Sequence, residues 1–172
     1  NNKIYFYDFN TKLSWTLKEN NKLFVSGYFG ADVLKLKSEG DENNDGTNKS
    51  SQQINFTWKN ATTTVRWNHI FSPKLFMNVS GIYSLYNYGL TSEIDSGGGT
   101  VGSSGAFLWK SSVENFIFKP DFTFYKNSDT KIRFGLNSTL YKFTPGIVES
   151  EEQGVNSIAL DVEKGLEIAP YI

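Results

Sequence analysis

Apolar and polar residues alternate along most of this chain with a period of two, which is typical of β-strands, and helical periodicity is hard to find. The clearest stretch is Leu75–Leu90, which has no charged residue and interleaves aromatic and aliphatic side chains with Asn, Ser and Gly. The alternation predicts strands at about residues 3–17, 23–36, 55–70, 75–92, 107–126 and 131–144, with a seventh beginning near residue 166. Pro120 falls inside the fifth strand, where its missing N–H predicts a bulge or a strand end.

Short and long connections alternate between the predicted strands. The short ones are residues 18–22, 71–74 and 127–130, and the long ones are about residues 37–54, 93–106 and 145–165. The long connections hold most of the Gly, Ser, Asp and Glu, as solvated loops do. This layout predicts an all-β, antiparallel up-and-down sheet of about six to seven strands, and it is typical of a segment of a transmembrane β-barrel with short turns on one side and long loops on the other.

The alternation also divides the predicted strands into two chemically different faces. One face has no Asp, Glu, Lys or Arg; it comprises the odd-numbered residues of 9–17, 23–33, 61–69 and 75–85 and the even-numbered residues of 116–124 and 132–140. The other face carries the charges of the strand centres, namely Lys12, Asp32, Arg66, Lys119, Asp121 and Arg133. Each charge-free stretch covers about 9–11 residues, the span of a tilted membrane strand. A soluble β-sandwich would sort its residues in the same way, so that alternative stays open.

Aromatic residues recur at both ends of the predicted strands. Trp15 and Trp67 precede short turns, while Trp58 and Trp109 lie toward the long connections. At about 3.3 Å per residue and a tilt of about 45°, the stretch from Trp58 to Trp67 spans roughly 21 Å of depth. This spacing predicts two aromatic girdles that flank an apolar band of about 25 Å.

Composition narrows the classes of function. The chain has 172 residues, 16% of them aromatic, a mean hydropathy of −0.40, a net charge of −1 and no cysteine. These values exclude disulfides and thiolate metal sites, and they give no indication of a nucleic-acid partner. The sequence has no apolar run long enough for a transmembrane helix. It starts at Asn1 and stops inside a strand-like stretch, so we expect it to be part of a longer protein.

Few residues are candidates for chemistry. Asp41, Asn43 and Asp45 follow the spacing of a calcium-binding loop, but the twelfth position is Gln52 and no helices flank it, so a solvated loop is favoured over a calcium site. The single histidine, His69, and the loop carboxylates Glu149, Glu151 and Glu152 have no partners that suggest a metal site or catalysis. We therefore expect no enzymatic activity and no cofactor.

The charges on the polar face of the predicted strands have two interpretations. In a barrel, Lys12, Arg66, Lys119, Asp121 and Arg133 would line the lumen. They would then bind a plug domain or a cross-strand partner, which is the favoured interpretation, or they would line the path of a solute.

Three stretches resemble barrel strands of Bacteroidetes-type TonB-dependent outer-membrane receptors that carry a carboxypeptidase-regulatory-like N-terminal domain. They are "YFYDFNTKLSWTLKENNKLFVSGYFGAD", "TTTVRWNHIFSPKLFMNVSGIYSLYNY" and "KIRFGLNSTLYKFTPG", and "RWNHIFSPKLF" is the most specific piece. The resemblance implies an outer-membrane barrel closed around its own plug, which imports a ligand with energy delivered by TonB through a segment outside this chain. It also implies contact with outer-membrane lipid and allows a surface lipoprotein partner. A passive porin and a soluble all-β binding or adhesion domain remain alternatives.

Overall fold

The computed structural model describes residues 2–41, 49–97, 104–150 and 157–172 as one antiparallel sheet. Its strands are β1 (Lys3–Lys18), β2 (Asn21–Asp41), β3 (Lys49–Ser72), β4 (Leu75–Gly97), β5 (Ser104–Tyr125), β6 (Lys131–Ser150), β7 (Ile158–Ala159) and β8 (Glu163–Tyr171). Each of β1 to β6 pairs with its neighbour in sequence, and β7 and β8 both pair with β6. The predicted all-β, up-and-down antiparallel fold is therefore confirmed, and the sheet is open between β1 and β8.

Several strands extend farther toward the long connections than the sequence pattern predicts. β2 runs to Asp41 and β3 begins at Lys49, and their pairing continues without a register change from Lys35↔Asn55 to Asp41↔Lys49. Backbone hydrogen bonds do not require apolar side chains, so the ladder continues past the apolar stretch once the register is set. The predicted seventh strand also begins earlier, at Ile158, and is interrupted before β8.

The short turns lie where the sequence pattern predicts them. Glu19 and Asn20 join β1 to β2, and Pro73 and Lys74 join β3 to β4. The turn between β5 and β6 is organised by the side chain of Asn127, whose Oδ1 accepts hydrogen bonds from the backbone N–H groups of Asp129 (3.2 Å) and Thr130 (2.7 Å). Such turns fix the register of the hairpins they close.

The expected bulge or strand end at Pro120 is not present, because β5 passes through this residue with its pairing to Val79 of β4 unchanged. Toward β6, the register is the same at Phe118↔Ser138 and Asp121↔Gly135, and the ladder omits the two positions between them. The missing N–H is thus accommodated by a local gap in one ladder. Gly135 borders that gap, and a Cβ atom there would overlap the carbonyl oxygen of Pro120.

The described residues form a single layer without a hydrophobic core. Ala31 and Met77 are the buried hydrophobic residues, and no large side chain in the described ranges is fully buried. Large apolar side chains instead remain exposed, with Phe9 at 63%, Phe118 at 52% and Leu166 at 64% exposure. The same ranges contain no helix that is long and apolar enough to span a membrane. The sheet therefore presents two broad faces, and their chemistry decides what the fold can do.

Replacing Gly135 tests how β5 accommodates Pro120. Gly135→Ala is expected to lower the free energy of unfolding by about 1–3 kcal/mol, because the added methyl group is forced against a backbone carbonyl. Gly81→Ala is the matched control, since a Cβ at that strand glycine meets no atom within 4 Å. Equilibrium urea unfolding followed by tryptophan fluorescence measures both variants, and equal stability of the two would contradict the account of the gap.

Candidate functional site

The register joins the charge-free positions of successive strands into one continuous surface, which we call the apolar face. One of its rows runs Val25↔Val65↔Gly81↔Phe118 across four strands. Pairing with β8 extends the surface, because Leu166 lies opposite Leu140. The predicted division of residues between two faces is thus confirmed strand by strand.

The opposite surface, which we call the charged face, gathers the five sequence-predicted site residues around one cavity of about 490 Å³. Arg66 of β3 and Lys119 of β5 lie in one cross-strand row, separated by Ser80 of β4. Asp121 lies one row away, opposite Asn78. The cavity is lined by Lys12, Arg66, Lys119, Asp121 and Arg133, with hydroxyl and amide groups from Ser26, Thr64, Asn78, Ser80 and Thr123 between them.

The charged face is electropositive at this cavity, since four cationic side chains surround the single carboxylate of Asp121. Lys119 precedes Asp121 by two residues on the same face of β5. Arg133 of β6 lies opposite Thr123, which makes it a diagonal neighbour of Asp121. The described ranges show no ion pair within 4.0 Å between Asp121 and these cations, and all five side chains line the cavity. The guanidinium of Arg66 instead lies 4.7 Å from the ring centroid of Phe24, its cross-strand neighbour. Such a surface is suited to anionic groups of a solute or of another protein segment.

The aromatic residues are not arranged as the two-girdle prediction requires. Trp58 pairs with Asp32 and Tyr88, all on the side of the charged face, and its ring lies 5.9 Å from that of Tyr88. Trp67 belongs to the apolar face, where it shares a cross-strand row with Trp15. The prediction was wrong for this pair because nine is an odd separation, and an odd separation along a strand places two residues on opposite faces.

The apolar face ends in a charged cluster that the sequence pattern did not reveal. Lys142 Nζ lies 2.6 Å from Glu114 Oε1, and the hydroxyl of Tyr83 donates a 3.2 Å hydrogen bond to Glu114 Oε2. Glu114 and Lys142 are cross-strand partners two residues beyond Phe116 and Leu140 on the same face. Following the alternation one position farther along β5 and β6, to Glu114 and Lys142, would have located this margin of the apolar face.

Among the described residues, the other candidates for chemistry form no site. His69 lies beside the first short turn, with Nδ1 2.7 Å from Asn21 Oδ1. Asn43 and Asp45 of the calcium hypothesis lie outside the described residues, as do Glu151, Glu152 and the side chains of Asp41 and Glu149. Within the described ranges, no group of three His, Cys, Asp or Glu side chains is positioned to hold a metal ion. The calcium hypothesis therefore stays a prediction.

No protein-family model matches this chain, and no curated protein matches it in sequence. The functional argument therefore rests on the geometry of the two faces. One face offers an uncovered, charge-free surface, and the other offers an electropositive cavity.

The contact between Arg66 and Phe24 yields a test of the charged face. In a double-mutant cycle of Arg66→Ala and Phe24→Leu, we expect a coupling energy of about 0.5–1 kcal/mol, the usual strength of an exposed cation–π contact. A cycle of Lys12→Ala with Phe24→Leu is the control, because Lys12 pairs with Ser26 in the neighbouring row. Urea unfolding of the variants measures both couplings. The described geometry would be contradicted if Lys12 coupled to Phe24 as strongly as Arg66 does.

Proposed function

We propose that this chain supplies membrane-spanning strands of an outer-membrane β-barrel, and that the barrel is a TonB-dependent receptor that binds and imports a ligand. The uncovered apolar face carries the proposal. Its charge-free stretches run across six long antiparallel strands without an Asp, Glu, Lys or Arg side chain, and large rings and aliphatic groups on it remain exposed. A soluble sandwich would cover this face with a second sheet, and the described residues contain none. Lipid hydrocarbon covers such a face without any further protein layer.

The charged face would then point into the barrel lumen. The four cations and single carboxylate at its cavity are suited to hold the polar surface of a plug domain, or to line the path of a solute through the barrel. Closure requires that the free edges of β1 and β8 find partners, because unpaired backbone groups are not tolerated in the membrane interior. In this proposal the remaining strands, the plug domain and the segment that contacts TonB belong to parts of the protein outside this sequence.

The choice of a receptor over a passive porin is supported by the likeness of "RWNHIFSPKLF" and its flanking strands to the receptor family. The proposed mechanism is transport without covalent chemistry. The loops capture the ligand, the plug rearranges under the action of TonB, and the solute passes along the charged face.

Thr64 and Val65 are adjacent in sequence but lie on opposite faces, so the same substitution at each position tests the membrane assignment. Val65→Lys places a charge on the apolar face and is expected to cost about 2–4 kcal/mol if that residue lies at the midplane of a bilayer. Thr64→Lys is the matched control, because Thr64 lies on the charged face beside Arg66 and lines its cavity. The measurements are the amount of folded protein in the outer membrane and the free energy of unfolding in zwitterionic lipid vesicles. We expect Val65→Lys to fail and Thr64→Lys to assemble like the parent.

The opposite outcomes separate the alternatives. If the protein is monodisperse without detergent, with the molecular mass of a monomer, the apolar face is covered by protein and the membrane assignment is wrong. If both lysine variants assemble equally well, the two faces do not differ in their contact with lipid.

Conductance distinguishes a receptor from a porin. In planar bilayers, the complete protein is expected to stay closed, because a plug fills the lumen next to Arg66 and Lys119. A large and stable conductance in the unmodified protein would favour the porin.

A further inference from the structure

The charged face changes character between the cavity around Arg66 and the long connections. On β1 to β4 this part of the face consists of the even-numbered residues of 4–10, 28–36, 54–62 and 84–94. Aromatic rings recur there, and no lysine or arginine is among these residues. Their charged side chains are two carboxylates, Asp8 and Asp32. This surface therefore has the opposite sign from the electropositive cavity nearer the short turns.

Three aromatic residues flank Asp32 on this surface. Phe6 of β1 and Trp58 of β3 are its direct cross-strand partners, so the three side chains lie on one face of the sheet. Tyr28 lies four residues earlier on the same face of β2, and its ring covers Gly30, because a Cβ atom there would overlap the Tyr28 hydroxyl. The ring of Tyr28 thus extends along β2 toward Asp32. We call Asp32, Phe6, Tyr28 and Trp58 the aromatic site.

The rings of the aromatic site are accessible, and neighbouring rings hold its indole in place. The ring centroid of Trp58 lies 5.9 Å from those of Phe56 and Tyr88, and the ring planes of Phe56 and Trp58 are within 9° of parallel. Trp58 is half-buried, whereas Phe6 is 76% exposed and Tyr28 is 38% exposed. A ligand can therefore contact these rings without displacing another part of the sheet.

The carboxylate at the centre of the aromatic site has no partner of opposite charge. In the part of the chain that the structure describes, Asp32 forms no ion pair or hydrogen bond through its side chain, which is exposed. The nearest lysine on this face of β1 and β2 is Lys12, opposite Ser26. Ser26 precedes Asp32 by six residues, which is about 20 Å along the strand. Asp8, opposite Gly30, adds a second carboxylate beside the site.

This combination of groups selects among classes of ligand. A neutral ligand lying on the rings would cover the carboxylate of Asp32 and leave it without a partner, which costs free energy. A metal ion needs several oxygen or nitrogen ligands, and no group of three suitable side chains is present among the described residues. An organic ammonium group offers apolar surface to the rings and a positive charge to the carboxylate. Rings arranged around a cation are a known means of recognising such groups.

We propose that the aromatic site binds an organic ammonium group, through an ion pair with Asp32 and cation–π contacts with Trp58, Tyr28 and Phe6. The inference rests on the proposed function for the place of this surface in a barrel lumen, and it deepens that function by naming a group that the imported ligand carries. A small quaternary ammonium compound and the lysine side chain of a peptide share this chemistry. The site lies on the same face as the cationic cavity but nearer the long connections, so an entering ligand meets it first.

The test uses the complete protein in dodecyl maltoside micelles, because this detergent carries no ammonium group. Isothermal titration calorimetry compares choline with the neutral alcohol in which a tert-butyl group replaces its trimethylammonium group. We expect choline to bind about tenfold more tightly or better, since the ion pair and the cation–π contacts both require the positive charge. Equal affinities for the two molecules would overturn the inference.

Substitutions test the two components of the site. Asp32→Asn keeps the shape of the side chain but removes its charge, so it should weaken choline binding about tenfold and leave the neutral alcohol unaffected. Asp129→Asn is the matched control in the turn between β5 and β6, and it should change neither affinity. Trp58→Leu should weaken choline binding about threefold to thirtyfold, the range of one cation–π contact, and Trp58→Phe should weaken it less because it retains a ring. The inference fails if Asp129→Asn weakens choline binding as much as Asp32→Asn does.

Competition with trilysine identifies the source of the cation. Displacement of choline by trilysine supports an ammonium site that takes lysine side chains of a peptide. Choline binding that trilysine does not displace supports the same site with a small quaternary ammonium compound as its ligand.

The outcome for the aromatic site can be separated from the outcome for the membrane assignment. If the parent protein assembles in the outer membrane but shows no preference for choline over the neutral alcohol, the aromatic site is refuted and the membrane function is not. If the protein is a monodisperse monomer without detergent and still binds choline through Asp32, the membrane function is refuted and the ammonium site is not.

Discussion

The register of the antiparallel ladder is the constraint on which the rest of this structure depends. Each strand alternates its side chains between two faces, so a slip of one residue would exchange the faces of a whole strand. A slip of β3 against β2 would carry Arg66 to the apolar face and remove Val65 from it. The two-residue turns at Glu19–Asn20 and Pro73–Lys74 hold the first and third hairpins in the register that keeps the charges together.

Because both faces are built from the same strands, adjacent residues of one strand contribute to two surfaces of different chemistry. Thr64, Val65 and Arg66 are consecutive in sequence, yet Val65 belongs to a surface without charge while its two neighbours line an electropositive cavity. No tertiary core separates these environments, because the described residues form one layer. The sheet itself separates the two environments. Whatever covers each face must bury its side chains as a second protein layer would otherwise do.

The sequence pattern predicts this organisation well where the alternation is strict, and poorly where another effect decides the outcome. The charged face was predictable because Lys12, Arg66 and Lys119 share a parity that the register preserves. The ends of β2 and β3 were not, because backbone pairing continues through polar residues whose pattern gives no signal. The strand through Pro120 was predicted, but the bulge or strand end expected at this residue was wrong, because the missing N–H is accommodated by a gap in the ladder to β6 beside Gly135. Trp58 was assigned to the wrong face because the prediction considered how far along its strand the residue lies and not which face of the sheet it occupies.

The apolar face differs chemically at its two margins, and that difference gives the sheet a direction. Beside the short turns, the indole N–H of Trp67 donates to Asn21 Oδ1 at 3.1 Å, and His69 contacts the same amide oxygen. These are neutral groups that combine an apolar body with a hydrogen-bonding tip, as is common where hydrocarbon meets water. Beside the long connections, the margin carries the cross-strand ammonium groups of Lys142 and Lys164, and the carboxylate of Glu114 holds the first of them. In a soluble protein, a neutral aromatic margin and a cationic margin on one surface would not favour any orientation of the sheet. In the proposed barrel, two leaflets of unequal charge would favour one orientation, with the long connections on the more anionic side.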